Sequence, residues 1–210
     1  MIAKEAPHQR TARRRGWRRA VLCCIGAAAF LAPGRGHAQN LTYGEMKLGV
    51  LAHDVRFAGG KEHGVDINPE VIFPSPISDA WIASLPAYIR WALQPRGTLG
   101  GEFNTGKYTN QYYFGATWTW QLLSNIMLPN DGLTFGIFFG PSFNDGEPRT
   151  SRADRKNLGS NVLFREAFEL GYRINPVYQV SVMFDHTSNA GFARENQSIN
   201  DFGVRLGVRF

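Results

Sequence analysis

The chain has 210 residues and only two cysteines, Cys23 and Cys24, both close to the N-terminus. That excludes a disulfide framework, a zinc-thiolate cluster and a cysteine nucleophile from the rest of the chain. Long apolar runs are also missing. The longest, Ala20–Ala32, has thirteen residues, and a membrane-spanning helix needs roughly 20. The sequence shows neither an internal repeat nor a low-complexity tract. Nor does the basic balance survive inspection. Eight of the 23 Lys+Arg and one of the 17 Asp+Glu fall within residues 1–38, which leaves 15 basic and 16 acidic residues in 39–210, a formal net charge of −1. The whole-chain pI near 9.6 therefore gives no ground for a nucleic-acid partner.

Residues 1–38 have the organisation of a secretory signal peptide. Arg13, Arg14, Arg15, Arg18 and Arg19 form a basic segment, Ala20–Ala32 the apolar segment, and Gly36-His37-Ala38 a small-residue cleavage site before Gln39. The expected organisation is a signal peptide over 1–38 and one β-barrel domain over 39–210. An exported destination also suits a domain without cysteine.

What the domain does have is alternation. Gln111–Gln121 places Tyr112, Phe114, Ala116, Trp118 and Trp120 on one face, opposite Tyr113, Gly115, Thr117, Thr119 and Gln121. Leu133–Phe143, Val162–Tyr172, Tyr178–Phe184 and Phe202–Phe210 repeat the pattern, and Gly44–Val55, Asp66–Phe73 and Trp91–Asn104 complete a set of eight. Pro69 predicts a distorted second strand. Asp79–Trp91 has mixed spacing that suits a short helix. Asn144–Ser160 reads as a long external loop, and Asn175-Pro176 as a tight turn. The fold class is all-β, an eight-stranded antiparallel transmembrane β-barrel. A soluble lipocalin-like barrel is the competing architecture. Two features oppose it. Tyr112, Tyr113, Trp118, Trp120, Tyr172 and Tyr178 collect near strand ends like interfacial girdles. The second face holds Arg, Glu, Thr and Gly, which suits a filled lumen and makes a poor soluble core. Arg165, Glu169, Arg205 and Arg209 are expected to pair inside that lumen, while Asp154, Arg155 and Lys156 read as a solvated loop run.

His186 and Ser188 are two apart and share the parity of Val180, Val182 and Phe184, so both should face outward. At that spacing an imidazole can serve a hydroxyl as general base for acyl transfer. Asn189 and Asn196 are nearby amides suited to an oxyanion. Taken alone, His-x-Ser is a weak signal, since Asn189-Ala190-Gly191 is also ordinary turn chemistry. No cluster has calcium- or zinc-ligand spacing.

The wider C-terminal pattern carries more weight. It comprises His186-Thr187-Ser188-Asn189-Ala190-Gly191, then Asn196, then the terminal strand Gly203–Phe210, with weaker likeness at Leu158-Gly159-Ser160, Phe168–Arg173 and Gly49–Asp54. This pattern resembles the outer-membrane lipid A 3-O-deacylase family, grouped with acyloxyacyl-hydrolase-like proteins of bacteria. The resemblance implies a bacterial outer-membrane enzyme that needs no cofactor and no metal. It would remove the ester-linked 3-hydroxyacyl chain at position 3 of lipid A. Ser188 would be the nucleophile and His186 the base, with Asn189 and Asn196 at or near the oxyanion. The implied partners are lipid A or lipopolysaccharide of the outer leaflet and the membrane itself, with a homodimer left open.

One position departs from the pattern. The family's acid falls fourteen residues after the histidine, where this chain has Asn200. An amide can accept a hydrogen bond from the imidazole and fix its tautomer, but it cannot stabilise an imidazolium as a carboxylate does. Asp185 and Asp201 have the wrong parity to replace it unless a bulge rotates Asp201 outward, and Glu195 lies in the loop. Two alternatives therefore stand beside the deacylase: a catalytically impaired structural or lipid-binding barrel of the same fold, and a related phospholipid acyl hydrolase.

Overall fold

Period-two alternation becomes eight antiparallel strands in the computed structural model, which describes residues 43–55 and 60–210. The expected signal peptide, residues 1–38, lies outside the described residues. The strands are β1 (Glu45–Ala52), β2 (Val65–Ile72), β3 (Arg96–Asn104), β4 (Gln111–Ser124), β5 (Gly132–Asn144), β6 (Val162–Arg173), β7 (Tyr178–Ser188) and β8 (Ile199–Arg209). Each pairs with its sequence neighbour, and β8 closes on β1 from Glu45↔Arg209 to Ala52↔Phe202. Closure leaves no strand edge open in the wall, which a bilayer demands.

The faces are inverted relative to a soluble barrel. Leu48, Val50, Leu99, Phe114, Phe139, Phe168, Val182, Val204 and Leu206 are exposed on the outside. The lumen holds Lys47, Glu70, Arg96, Glu102, Arg165, Glu169, Asp185, Asp201 and Arg205, all buried. Hydrocarbon is the medium that makes this arrangement favourable: each apolar residue left in water would forgo about 25 cal/mol per Å². The interior charges pair across the lumen. Arg165 Nη2 bonds Glu102 at 2.8 Å and Asp185 at 2.6 Å. Arg205 binds Glu169 at 3.0 Å and also Glu70, while Lys47 reaches Glu169 at 2.7 Å. Arg209, expected to join an ion pair, instead covers the Tyr43 ring, 4.3 Å from its centroid.

Three expectations need correction. Tyr113 is not an interfacial aromatic. Its odd parity sends it into the lumen, where it bonds Asn68 and Glu70 and lies beneath the Arg165 guanidinium, 3.9 Å away. The third strand does not begin at Trp91: that residue lies in α2 (Ala87–Ala92), which follows α1 (Asp79–Ile82), and the strand starts after Pro95. Lys156 is not solvated. It is 3% exposed and pairs with Asp54 at 3.0 Å, because the loop folds back over the barrel mouth.

Pro69 occupies the expected irregularity. The β2–β3 ladder skips from Ile67↔Phe103 to Glu70↔Gly100, since proline offers no N–H. The Asn68 amide donates to the Gly101 carbonyl in its place, at 2.9 Å. One end of the barrel has the tight connections 125–131 and 174–177 and both short helices. The other carries four loops, L1 (described at 53–55 and 60–64), L2 (105–110), L3 (145–161) and L4 (189–198). Short turns mark the periplasmic end and longer loops the extracellular one.

Candidate active site

The top two outward positions of β7 are His186 and Ser188, one pleat above Phe184 and just below the L4 turn. Their Nε2 and Oγ atoms are 3.1 Å apart. The register pairs His186 with Asn200 on β8, and Nδ1 meets Asn200 Oδ1 at 2.7 Å. This geometry selects one tautomer. An amide oxygen only accepts, so Nδ1 carries the proton, and the Nε2 lone pair is left to accept from the Ser188 hydroxyl. Asn200 is 3% exposed, and its Nδ2 is buried without a hydrogen-bond partner. Asp185 and Asp201 sit opposite one another on the lumen side, with no bulge to turn either outward.

L4 begins with a left-handed turn, Ala190 at φ 54° and Gly191 at φ 81°. The Ala190 N–H points at Ser188 Oγ, 3.4 Å away. The two expected oxyanion amides have different surroundings. Asn189 Nδ2 already donates to the Leu158 and Glu195 carbonyls, at 2.8 and 2.6 Å, and its Oδ1 accepts from Gly191 N. Its side chain therefore ties L3 to L4. Asn196 accepts from Asn189 N at 3.1 Å through Oδ1, and its Nδ2 makes no hydrogen bond among the described residues. Gly159 lets L3 and L4 approach: its φ is +76°, and a Cβ there would lie 2.0 Å from the Glu195 carbonyl oxygen.

Behind the wall, a charged network holds the loops. His53 Nδ1 meets Asp66 at 2.7 Å and Asp201 at 3.4 Å, and Nε2 meets Glu62 at 3.3 Å. Burial works against the charge on His53, but these carboxylates prevail and raise its pKa to about 10. Glu62 accepts from Lys156 N and Thr109 N, and Lys156 Nζ donates to the Ser198 carbonyl in L4. The chain of bonds thus runs from L1 through L3 to the loop carrying Asn196. Two buried groups, His53/Asp66/Asp201 and Glu102/Asp185/Asp201, bring ligand atoms within 4.8 Å of one another. Long-range contacts build them, so sequence spacing did not reveal them. His53 and Arg165 already supply cations to both groups.

Two neighbours on β6 were missed in the sequence. Phe164 lies opposite Ser188 and Glu166 opposite His186. The alternation in Val162–Tyr172 contained the signal, because Glu166 has the parity of Phe164 and Phe168. Phe164 stacks with Phe139 at 6.3 Å and approaches Phe192 of L4 at 5.9 Å, so an apolar track passes the serine. The cavity lined by Lys47, Glu70, Glu169 and Arg205 lies inside the lumen, on the other side of the wall from Ser188. The Ser188–His186 pair lies outside it.

Fold and site define an outer-membrane β-barrel with a Ser–His pair on its lipid-facing wall. The model of the lipid A 3-O-deacylase (PagL) family matches residues 87–209, more than half the chain. The chain belongs to that family and is a protein of the bacterial outer membrane. No curated protein matches it. Among solved structures, the outer membrane enzyme PagL superposes with a TM-score of 0.58 at 16% identity, over 78% of this chain and 98% of that one; at that identity the likeness speaks for the fold. The attachment invasion locus protein Ail of Yersinia pestis covers 80% of this chain and 98% of its own, at 10% identity and a TM-score of 0.39, which is too distant for a conclusion.

Proposed function

We propose that the chain is a serine esterase that removes the ester-linked 3-hydroxyacyl chain at position 3 of lipid A. The reading rests on one observation: His186 bridges Asn200 and Ser188 on the outward face, at the end of β7 where the strand passes into L4. Ser188 Oγ attacks the acyl carbonyl carbon while its proton passes to His186 Nε2. The negative oxygen forms near the Ala190 N–H and the Asn196 amide. His186 then protonates the departing sugar oxygen, and water cleaves the acyl-enzyme to release the 3-hydroxy acid and restore the Ser188 hydroxyl. Phe164 and Phe139 offer the acyl chain an apolar track, and no step calls for a metal or cofactor.

Mass spectrometry of lipid A from cells with and without the chain tests this. Loss of one 3-hydroxyacyl group is expected with the wild type, and retention with Ser188→Ala. An unchanged acyl pattern with the wild type would reject the reading. Asn200 supports a second reading, an impaired barrel, because the amide adds no negative charge; Asn200→Glu creating activity in an otherwise silent chain would favour it. Phospholipid assayed alongside lipid A separates the related acyl hydrolase.

A further inference from the structure

Glu166 is a carboxylate on the hydrocarbon-facing side of β6, half-buried between Phe164 and Phe168 in parity. Across β5 it is opposite Phe139, and across β7 it is opposite His186. It makes no hydrogen bond or ion pair among the described residues. An acidic side chain on the lipid face of a barrel costs stability, least near the interface. Directly opposed residues of antiparallel strands hold their Cβ atoms roughly 4.5–5.5 Å apart. The imidazole is therefore flanked on the outer wall by Asn200 from β8 and by Glu166 from β6.

We infer that Glu166 is a positioning residue, supplying from β6 the negative charge that position 200 lacks on β8. This rests on the Ser188–His186 reading and deepens it. Asn200 fixes the tautomer, and Glu166 stabilises the imidazolium formed when Nε2 takes the Ser188 proton. The other groups around the ring do not compete. On β8 the outward neighbour is the neutral Asn200. Asp185 and Asp201 face the lumen, engaged by Arg165 and His53. L4 contributes Arg194 and Glu195, neither bonded to His186. Phe139, on the far side of Glu166, carries no charge.

The test uses the full chain folded in membranes, with folding checked by heat-modifiable migration. Glu166→Gln should lower kcat roughly 100- to 300-fold, the effect of a unit charge about 5–6 Å away at an effective dielectric near 20. KM should stay the same, and the acid limb of the pH profile should move to lower pH. Glu166→Asp should keep most of the activity, and adding Asn200→Glu to Glu166→Gln should restore it. A folded Glu166→Gln protein with wild-type kcat and an unmoved acid limb overturns the inference. So does a loss that Asn200→Glu fails to rescue. Ser188→Ala separates the two levels: full activity in that variant rejects the serine reading itself, whatever Glu166 does. If lipid A is not turned over, the pH dependence of Ser188 labelling by a fluorophosphonate gives the same comparison. A wild-type chain that neither deacylates nor labels overturns the inference together with the reading beneath it.

Discussion

Replacing His53 with glutamine should flatten the alkaline loss of stability of the barrel. Both ring nitrogens face carboxylates, Asp66 and Asp201 at Nδ1 and Glu62 at Nε2. Both must donate, so the folded state holds the imidazolium. Burial opposes that charge, but the Asp66 and Glu62 bonds and the Asp201 charge outweigh it and bring the pKa to about 10, against roughly 6.5 in an unfolded chain. A raised folded pKa contributes its stability in full below the unfolded value, and the contribution disappears as pH climbs through the folded one. Between about pH 6.5 and about pH 10, this one group should therefore lower the unfolding free energy by about 1.4 kcal/mol per pH unit. The integrated effect is on the order of 5 kcal/mol, an upper figure for so crowded a cluster. Reversible urea unfolding in detergent, followed by tryptophan fluorescence from about pH 7 to about pH 9.5, measures both slopes. Wild type should be the more stable at the lower pH, and its advantage over His53→Gln should shrink steadily. Parallel slopes would refute the charged-histidine account.

Other consequences are as direct. On the acid side, burial raises the Glu62 carboxyl, but bonds from His53, Lys156 and Thr109 hold it at about 2; its stability contribution, full above about pH 4.5, should fade as pH falls from there towards about 2, and Glu62→Gln should remove this part of the acid slope. Asn196→Ala should lower kcat about 10²- to 10³-fold with little change in KM, as loss of one oxyanion donor does; an unaltered kcat would remove Asn196 from that role. Asn189→Ala frees the Leu158 and Glu195 carbonyls and loosens L4, so kcat should fall roughly 10²-fold through misplacement of the site, while the lumen and the fold persist. Gly159→Ala should be worse tolerated than any neighbouring L3 substitution, because its Cβ meets a backbone oxygen in a left-handed conformation; thermal unfolding compares them.

Much of the barrel was legible because each strand meets two media. β4 to β8 alternate strongly, with lipid on one side and a charged lumen on the other, so the parity of residues 178–210 placed His186, Ser188 and Asn200 together on the outer face. The β3 start was less legible, since Trp91 lies on a short helix whose end merges into the strand window. Tyr113 was misplaced for a different reason. Its type resembles an interfacial anchor, but its parity belongs to the lumen, and parity decides. The mouth network was invisible because its partners are far apart in sequence: Asp54 N bonds Asp201, 147 residues away. Lys156 looked solvated for the same reason. Glu166 was readable by parity, but its meaning depends on the β6–β7 register, which no single strand encodes.

If the pair is the proposed active site, its position accounts for how a shallow site could be selective. Ser188 and His186 take the last outward places before L4, and Phe184, Val182 and Val180 continue below them into the hydrocarbon. A polar pair deeper in the wall would face acyl chains with no ester in reach and would pay the full desolvation of unpaired groups. A pair higher in L4 would lose the rigid strand and the β8 amide that sets the tautomer. The membrane therefore does part of the work of a binding pocket. On the proposed esterase reading, it would hold the lipid at one depth, while β7 presents Ser188 towards the ester and Phe164 offers the acyl chain an apolar surface. On the same reading, selection among esters of one lipid would fall to L3 and L4, which the contacts of Asn189, Gly159 and Lys156 hold in place.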